Sequence, residues 1–154
     1  MKVYTNSGEK AAGSDEKCAA LRKIPFFSLF GDDEELRLVL SFGNWMECPA
    51  GTPLIHEGSM ESTMFVLIRG AVLVEKQGKP LAVVKAPGIV GEIGAFLDTP
   101  RTANVLTKDT ATIFGLNVKR LGKLPGETLY RIMEHLFRVT AARLVHTDQR
   151  MASL

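Results

Sequence analysis

One short stretch of the chain combines residue types that together can bind a small anion. Residues 91–103 read Gly-Glu-Ile-Gly-Ala-Phe-Leu-Asp-Thr-Pro-Arg-Thr-Ala. The glycines allow the backbone to approach a ligand closely, and Arg101 carries a planar guanidinium that can bind two phosphate oxygens at once. Glu92 repels an anion, but its carboxylate accepts hydrogen bonds from sugar hydroxyls. The stretch therefore suits a ligand that carries both a phosphate and a sugar.

The same residues also fit an ordinary turn between two strands. In that interpretation Asp98 starts the turn, Pro100 stiffens it and Arg101 is solvated. Residues 92–97 are long enough for one or two helical turns, and the free N–H groups of a helix start favour a phosphate. Because short motifs often occur by chance, the choice between turn and ligand site depends on the surrounding elements.

The composition indicates one soluble globular domain. The chain has 154 residues, 45% of them hydrophobic and 23% charged, which is enough to bury one core. Nineteen Lys and Arg residues against 17 Asp and Glu residues give a formal charge of +2, without the basic cluster typical of nucleic-acid binding. No apolar run reaches the ~20 residues of a membrane-spanning helix, and no secretory signal precedes the domain, so we expect a cytoplasmic protein.

Neither the histidines nor the cysteines indicate a metal site. His56, His135 and His146 are scattered and form no ligand pair of the HxH or HExxH type. Cys18 and Cys48 lie in unlike contexts, so we expect two reduced thiols. The sequence therefore predicts a protein without metal.

Hydrophobic periodicity divides the chain into four parts. We expect residues 1–13 to form a flexible tail and residues 14–154 a single domain, which opens with helices over 14–24 and in Gly-Asp-Asp-Glu-Glu-Leu-Arg-Leu. Asp32 can cap the second helix, with Glu35 completing a capping box. Short apolar runs separated by Gly and Pro from about 45 to 117 predict strands. Residues 126–151 predict a long amphipathic helix.

These elements predict a mainly β fold with flanking helices. Strands of this length and spacing favour a barrel or a double-sheet jelly roll. We therefore expect a double-stranded β-helix over about 45–117, with helices before it and the long helix after it. That helix exceeds the average of about 11–12 residues, so part of it should pack outside the core, with a second copy as the simplest partner.

The motif and the order of elements resemble the cyclic-nucleotide-binding domains of catabolite activators, kinase regulatory subunits and cyclic-nucleotide-gated channels. The resemblance covers roughly residues 21–150. It rests on Gly-Glu-aliphatic-Gly followed by Pro-Arg-small-Ala, matched at Gly91, Glu92, Ile93, Gly94, Pro100, Arg101, Thr102 and Ala103. It implies a fold of the kind predicted above and cyclic AMP or cyclic GMP as the ligand.

The resemblance also implies a role for each matched residue. Arg101 corresponds to the arginine that binds the cyclic phosphate, and Glu92 to the acid that binds the ribose 2′-hydroxyl. Thr102 occupies a position where Thr or Ser can contact the phosphate or a guanine. The walls of the site would come from Gly91, Ile93, Gly94, Ala95 and Ala103. Asp98 departs from the pattern and would weaken binding if its carboxylate pointed towards the anion.

The last helix is similar to the family's lid and dimer helix. The resemblance nominates Arg143 as a partner for Glu92 or the base and Thr147 as a contact to the base, although both could be ordinary surface residues. The bacterial activators continue into a helix-turn-helix module, and the sequence shows no such DNA-binding module. A homodimer or a protein partner on this helix is therefore the expected output.

Three functions remain open at this level. The first is a non-enzymatic cyclic nucleotide sensor that acts on a partner through its last helix. The second is a ligand-free jelly-roll module for interaction or oligomerisation. The third, an enzyme of the double-stranded β-helix type, has least support, because such enzymes need several metal ligands on facing strands and His56 is the one histidine in the β region.

Overall fold

Two antiparallel sheets face each other across an apolar core. The computed structural model describes residues 2–5 and 15–152, with side chains described from Cys18 to His146. The strands are β1 Lys2–Thr5, β2 Gly43–Cys48, β3 Pro53–Ile55, β4 Thr63–Arg69, β5 Ala71–Lys76, β6 Lys79–Lys85, β7 Gly88–Val90, β8 Asn104–Thr107 and β9 Ala111–Asn117. One sheet has the order β1-β2-β9-β4-β7 and the other β3-β8-β5-β6. The predicted jelly roll is confirmed.

In the part of the chain that the structure describes, four α-helices flank the sheets. They are α1 Asp15–Leu21, α2 Asp33–Ser41, α3 Glu92–Leu97 and α4 Gly126–Ala152, and short 3₁₀ helices span Phe27–Leu29 and Val118–Lys123. The predicted cap of α2 is present, because Asp32 Oδ1 accepts a hydrogen bond of 2.8 Å from the Glu35 N–H. The sequence thus predicted the positions of the four α-helices, including the short helix within residues 91–103, but not the 3₁₀ helix at Phe27–Leu29.

The apolar residues form two clusters on opposite sides of the five-stranded sheet. Alternating residues of β4 divide between them: Phe65 and Leu67 point between the two sheets, whereas Met64 and Val66 point towards the helices. The helix-side cluster includes Phe26, Phe27, Leu36, Phe114 and Ile132. The helices therefore cover the outer face of the five-stranded sheet.

The amino-terminal residues differ from the expected tail. Lys2–Thr5 form β1, which pairs antiparallel with β2 from Lys2 opposite Glu47 to Thr5 opposite Asn44. The polar composition of residues 1–13 hid this strand, because the backbone of an edge strand can pair without a long apolar run. Residues 6–14 lie outside the described residues.

The first half of α4 holds that helix to the domain. Ile132 is fully buried and Leu136 is 4% exposed in the helix-side cluster, whereas Leu144 is 62% exposed. The broad apolar face predicted for this helix is thus buried only in part. None of the helices in the described part of the chain is both long enough and apolar enough to cross a membrane.

Candidate functional site

The segment from α3 to the start of β8 brings the predicted binding residues together. Gly91 precedes α3 and has a backbone φ of 80°, which residues other than glycine rarely adopt. A Cβ atom at Gly91 would lie 2.7 Å from Ile55 Cδ1, and one at Gly94 would lie 3.0 Å from Arg101 Nη1. The two glycines therefore leave the space that the Arg101 side chain occupies.

Arg101 is held on both sides by the loop between β3 and β4. Its backbone N–H donates to Ser59 O at 2.8 Å, and its carbonyl accepts from Gly58 N at 2.7 Å. The guanidinium donates from Nη1 to Gly91 O and from Nη2 to Thr63 O, each at 2.5 Å. Backbone on both sides thus fixes the side chain within the fold.

Among the described residues, no carboxylate lies in ion-pair contact with the buried charge of Arg101. The residue is 5% exposed, and its Nε has no hydrogen-bond partner among the described residues. Burial lowers the pKa of Arg101, while the charges of Glu61 and Glu92 raise it in part. A buried cation with an unsatisfied donor is costly, and an anion would relieve that cost.

Glu92 faces α4. The residue is 4% exposed, and its Oε1 accepts a hydrogen bond of 2.8 Å from Arg143 Nη1. Arg143 Nη2 also donates to Ile89 O, and the Thr140 hydroxyl lies 3.4 Å from the same Glu92 oxygen. Arg143 and Thr140 of the closing helix therefore contact Glu92 at the start of α3, and Arg143 also contacts the strand β7.

Other residues nominated from the sequence lie at different places around this site. Ala95 is buried and Ala103 half-buried, whereas Thr102 is exposed and Ile93 is 50% exposed. Ile93 faces outward because Glu92 and Ala95 occupy the inner face of α3. The Thr147 side chain lies outside the described residues.

The Asp98 carboxylate lies beside Lys119 at the surface. It lies 3.7 Å from Lys119 Nζ, and both side chains are about two-thirds exposed. In this position the Asp98 charge is screened by solvent and partly balanced by Lys119. The Asp98 carboxylate is therefore a solvated surface charge beside Lys119.

Several participants in the site had no signal in the sequence. The carbonyls of Thr63, Ile89 and Gly91 accept hydrogen bonds from the two arginines, but every residue except the chain end has such a carbonyl. Thr140 was visible only as one residue on the broad face of α4. These contacts depend on how distant elements meet, which spacing along the chain does not reveal.

A cavity of about 260 Å³ lies beneath α4 next to this site. Its walls include Phe26, Val66 and Ile89 from the domain and His135, Val139 and Arg143 from the helix. Burial lowers the pKa of His135, whose ring packs edge-on near Phe26 at 6.3 Å. Within the described residues, no group of three or more His, Cys, Asp or Glu side chains is arranged to hold a metal.

Residues 45–133 match the family described as the cyclic nucleotide-binding domain. The chain belongs to this family. It is a family of regulatory domains, and a cyclic nucleotide is its ligand class. The resemblance stated from the residue 91–103 motif is therefore confirmed.

A curated relative is also similar in sequence. The chain is 36% identical over 110 residues to the Pycsar effector protein XpPycTIR of Xanthomonas perforans. The match covers 68% of this chain and 36% of the relative, so the chain spans little more than a third of that protein's length.

Solved structures share the fold. A cyclic nucleotide-binding domain from Methylobacillus flagellatus has a TM-score of 0.76 at 23% identity, covering 91% of this chain and 85% of that one. The Thermus thermophilus catabolite activator protein has a TM-score of 0.69 at 21% identity, covering 83% of this chain and 62% of that one. The regulatory domain of Toxoplasma gondii PKA with cAMP has a TM-score of 0.65 at 15% identity, covering 86% and 52%.

Proposed function

We propose that this domain is a non-enzymatic receptor for cyclic AMP or cyclic GMP that passes the signal to a partner through α4. The observation that carries the proposal is Arg101, a cation at 5% exposure whose Nε has no hydrogen-bond partner among the described residues. A cyclic phosphate supplies a negative charge in contact with this guanidinium and an acceptor oxygen for Nε. Family membership makes a cyclic nucleotide the anion of choice.

Glu92 supplies the second contact in this proposal. The ribose 2′-hydroxyl donates to the Glu92 carboxylate, which now accepts from Arg143. Ligand binding therefore changes the environment of the group that joins α3 to α4. The cavity under α4 gives the helix room to shift when that contact changes.

The proposed contacts to the base come from two threonines. Thr102 is exposed beside Arg101 and is the nominated contact to a guanine, and Thr147 is the nominated contact from α4. The phosphate and ribose are common to all 3′,5′-cyclic nucleotides, so Arg101 and Glu92 do not select a base. The test must therefore compare several bases.

Equilibrium dialysis of the ligand-free protein with cyclic AMP, cyclic GMP, cyclic CMP and cyclic UMP tests the proposal. The matched controls are 5′-AMP and 5′-GMP, which carry the same bases without the cyclic phosphate. We expect saturable binding at one site for cyclic AMP or cyclic GMP and much weaker binding of the controls. Binding of neither purine cyclic nucleotide would contradict the proposal.

The output surface is the outer side of α4. Tyr130, Phe137 and Leu144 are 65%, 74% and 62% exposed and recur every seven residues, with Met133 between the first two. This spacing is typical of a helix that packs along another helix. We therefore assign the outer side of α4 to a second copy or to a partner helix, and ligand should change hydrogen exchange along α4.

One observation favours the second candidate, a ligand-free interaction module. Glu92 already has an ion pair within the chain, because Arg143 lies 2.8 Å from it. In such a module Arg143 would take the place of a ribose permanently. A protein that self-associates through α4 and binds no cyclic nucleotide in the dialysis would favour this candidate.

A further inference from the structure

The outer face of the four-stranded sheet carries an apolar row that crosses all four strands. Val83 lies opposite Leu73, Leu73 opposite Leu106, and Leu106 opposite Pro53. Val83 is 41% exposed, and Leu81, displaced by the irregular pairing near Glu75, is 60% exposed. A solvated sheet face normally alternates with polar residues, so this row indicates a surface that is covered.

Strand alternation shows that this row points away from the core. Val72 and Val105 are buried between the two sheets, and Val74 and Val84 pack against the same cluster. Their neighbours along the strands, Leu73, Leu106 and Val83, therefore point outward. Among the described residues, those of the helices pack on β4 and β9 of the other sheet, away from this side.

Charged residues lie at the two ends of this face with opposite signs. At one end Ala71 pairs with Lys85, and its carbonyl accepts from the Lys108 N–H, so two lysines flank Ala71. Asp109 is also at this end, where its carboxylate accepts a hydrogen bond from the Ala71 N–H. Glu75 lies four residues further along β5, opposite Asn104.

The acidic end has a second carboxylate nearby. Glu57 Oε2 accepts a hydrogen bond of 3.3 Å from the Gln77 N–H, in the turn that follows Glu75. Lys76 and Lys79 pair with each other in the same hairpin, but alternation places them on the opposite side of the strands from Glu75. The outer face is thus basic at the Ala71 end and acidic at the Glu75 end.

We propose that this face docks on the same face of a second copy of the chain. A two-fold axis that lies between the sheets and runs across the strands places each strand over its own counterpart in reverse direction. The apolar rows then meet, and each Glu75 lies over the partner copy's lysine end, between Lys85 and Lys108. A parallel arrangement would instead place lysine over lysine.

The size of the face predicts a weak association. Four strands about 4.8 Å apart, with about five residues of about 3.3 Å each, give roughly 300 Å² per copy. Stable interfaces bury about 800 Å² per partner. We therefore expect association that rises with concentration from micromolar to millimolar. The proposal requires no cyclic nucleotide and is independent of the proposed receptor function.

Charge reversal tests both the face and its symmetry. Glu75→Lys and Lys85→Glu each place like charges opposite one another in their own homodimer, and each should weaken association at least about tenfold. In a mixed dimer, the substituted position 75 of one variant faces the substituted position 85 of the other variant, and the two charges are again opposite. The association constant of an equimolar mixture should therefore recover to within about threefold of the wild-type value. Sedimentation velocity over a concentration series measures all four samples.

Controls separate this face from α4. Lys79→Glu makes the same charge change on the other side of β6 and should leave association unchanged. The series is repeated with Phe137→Ser, which removes an exposed side chain of α4. A Leu81→Ser/Val83→Ser variant should also weaken association. The proposal is overturned if the Phe137→Ser protein without further substitutions stays monomeric at millimolar concentration. It is also overturned if the mixture of the two charge variants associates as weakly as each variant alone.

Discussion

At the residue scale, the site contains two buried ionisable side chains, and their charges are balanced by partners to different degrees. Glu92 has an ion pair with Arg143, whereas Arg101 has carbonyl partners and one unsatisfied nitrogen. Burial of a charge is tolerated when charge and hydrogen bonds are both balanced, which holds for Glu92 alone. The proposed receptor function therefore places the anion at Arg101, where it would reduce the cost of burial most.

The Glu92–Arg143 ion pair should stabilise the fold more than the more exposed ion pair between Glu134 and Arg138 within α4. A double-mutant cycle of Glu92→Gln and Arg143→Gln should give a coupling energy of about 1–3 kcal/mol, because Glu92 is 5% exposed at its side chain. Urea unfolding of the four proteins measures it. The matched cycle, Glu134→Gln with Arg138→Gln, concerns a more exposed pair and should give about 0.3–0.5 kcal/mol. Equal coupling energies in the two cycles would contradict a stabilising role for the Glu92–Arg143 ion pair between α3 and α4.

His135 should make the free energy of unfolding depend on pH. Burial lowers the pKa of His135 in the folded protein below its ordinary value of 6.5, so the unfolded chain binds the proton more readily. This contribution to stability is complete above about pH 6.5 and is lost as the pH falls towards the folded-state pKa.

Urea unfolding between about pH 7.5 and about pH 5.5 measures this effect. His135→Gln should flatten the decrease in stability relative to the wild type. His56→Gln, at an exposed position, serves as the control and should keep the wild-type profile. Identical profiles for His135→Gln and the wild type would contradict the assignment.

At the scale of elements, α4 has two parts with different roles. The part around Ile132 and Leu136 belongs to the core, and the part around Leu144 and Val145 is exposed. The sequence predicted the helix and its apolar face from the 3.6-residue period. It did not show where the buried part stops, because the same residue types serve a core and a helix–helix interface.

Truncation in the two parts of α4 should therefore have unequal costs. Leu136→Ala should lower the free energy of unfolding by about 2–5 kcal/mol, since it removes a buried side chain. Val145→Ala, at 55% exposure and off the seven-residue row, should change it by less than about 0.5 kcal/mol. Similar losses measured by thermal or urea unfolding would show that the distal part of α4 is packed as tightly as the first.

At the scale of the whole molecule, the fold was more predictable than the site. Strand spacing, the Asp32 cap and the long final helix sufficed for a jelly roll flanked by helices. The edge strand β1 was missed, because its pairing is made by backbone groups. Arg101 and Glu92 were identified by residue type, but their burial and backbone partners depend on elements far away in the chain.

The molecule joins the buried Glu92 and Arg101 side chains to surfaces that face outward. The site lies between the roll and α4, and Arg143 contacts both sides of that boundary. The outer side of α4 and the outer face of the four-stranded sheet are both apolar and accessible. A change at Glu92 can therefore reach the first of these surfaces through one side chain.

Calorimetric titration of the wild type and of Arg101→Gln with cyclic AMP and cyclic GMP tests the central claim most directly. Variants are first shown to unfold cooperatively, and Arg138→Gln is the control. Each lost charge-assisted hydrogen bond is worth about 1.5–3 kcal/mol, so we expect at least about tenfold weaker binding for Arg101→Gln and unchanged binding for Arg138→Gln. Equal affinity of Arg101→Gln and the wild type for both nucleotides would contradict the assigned site.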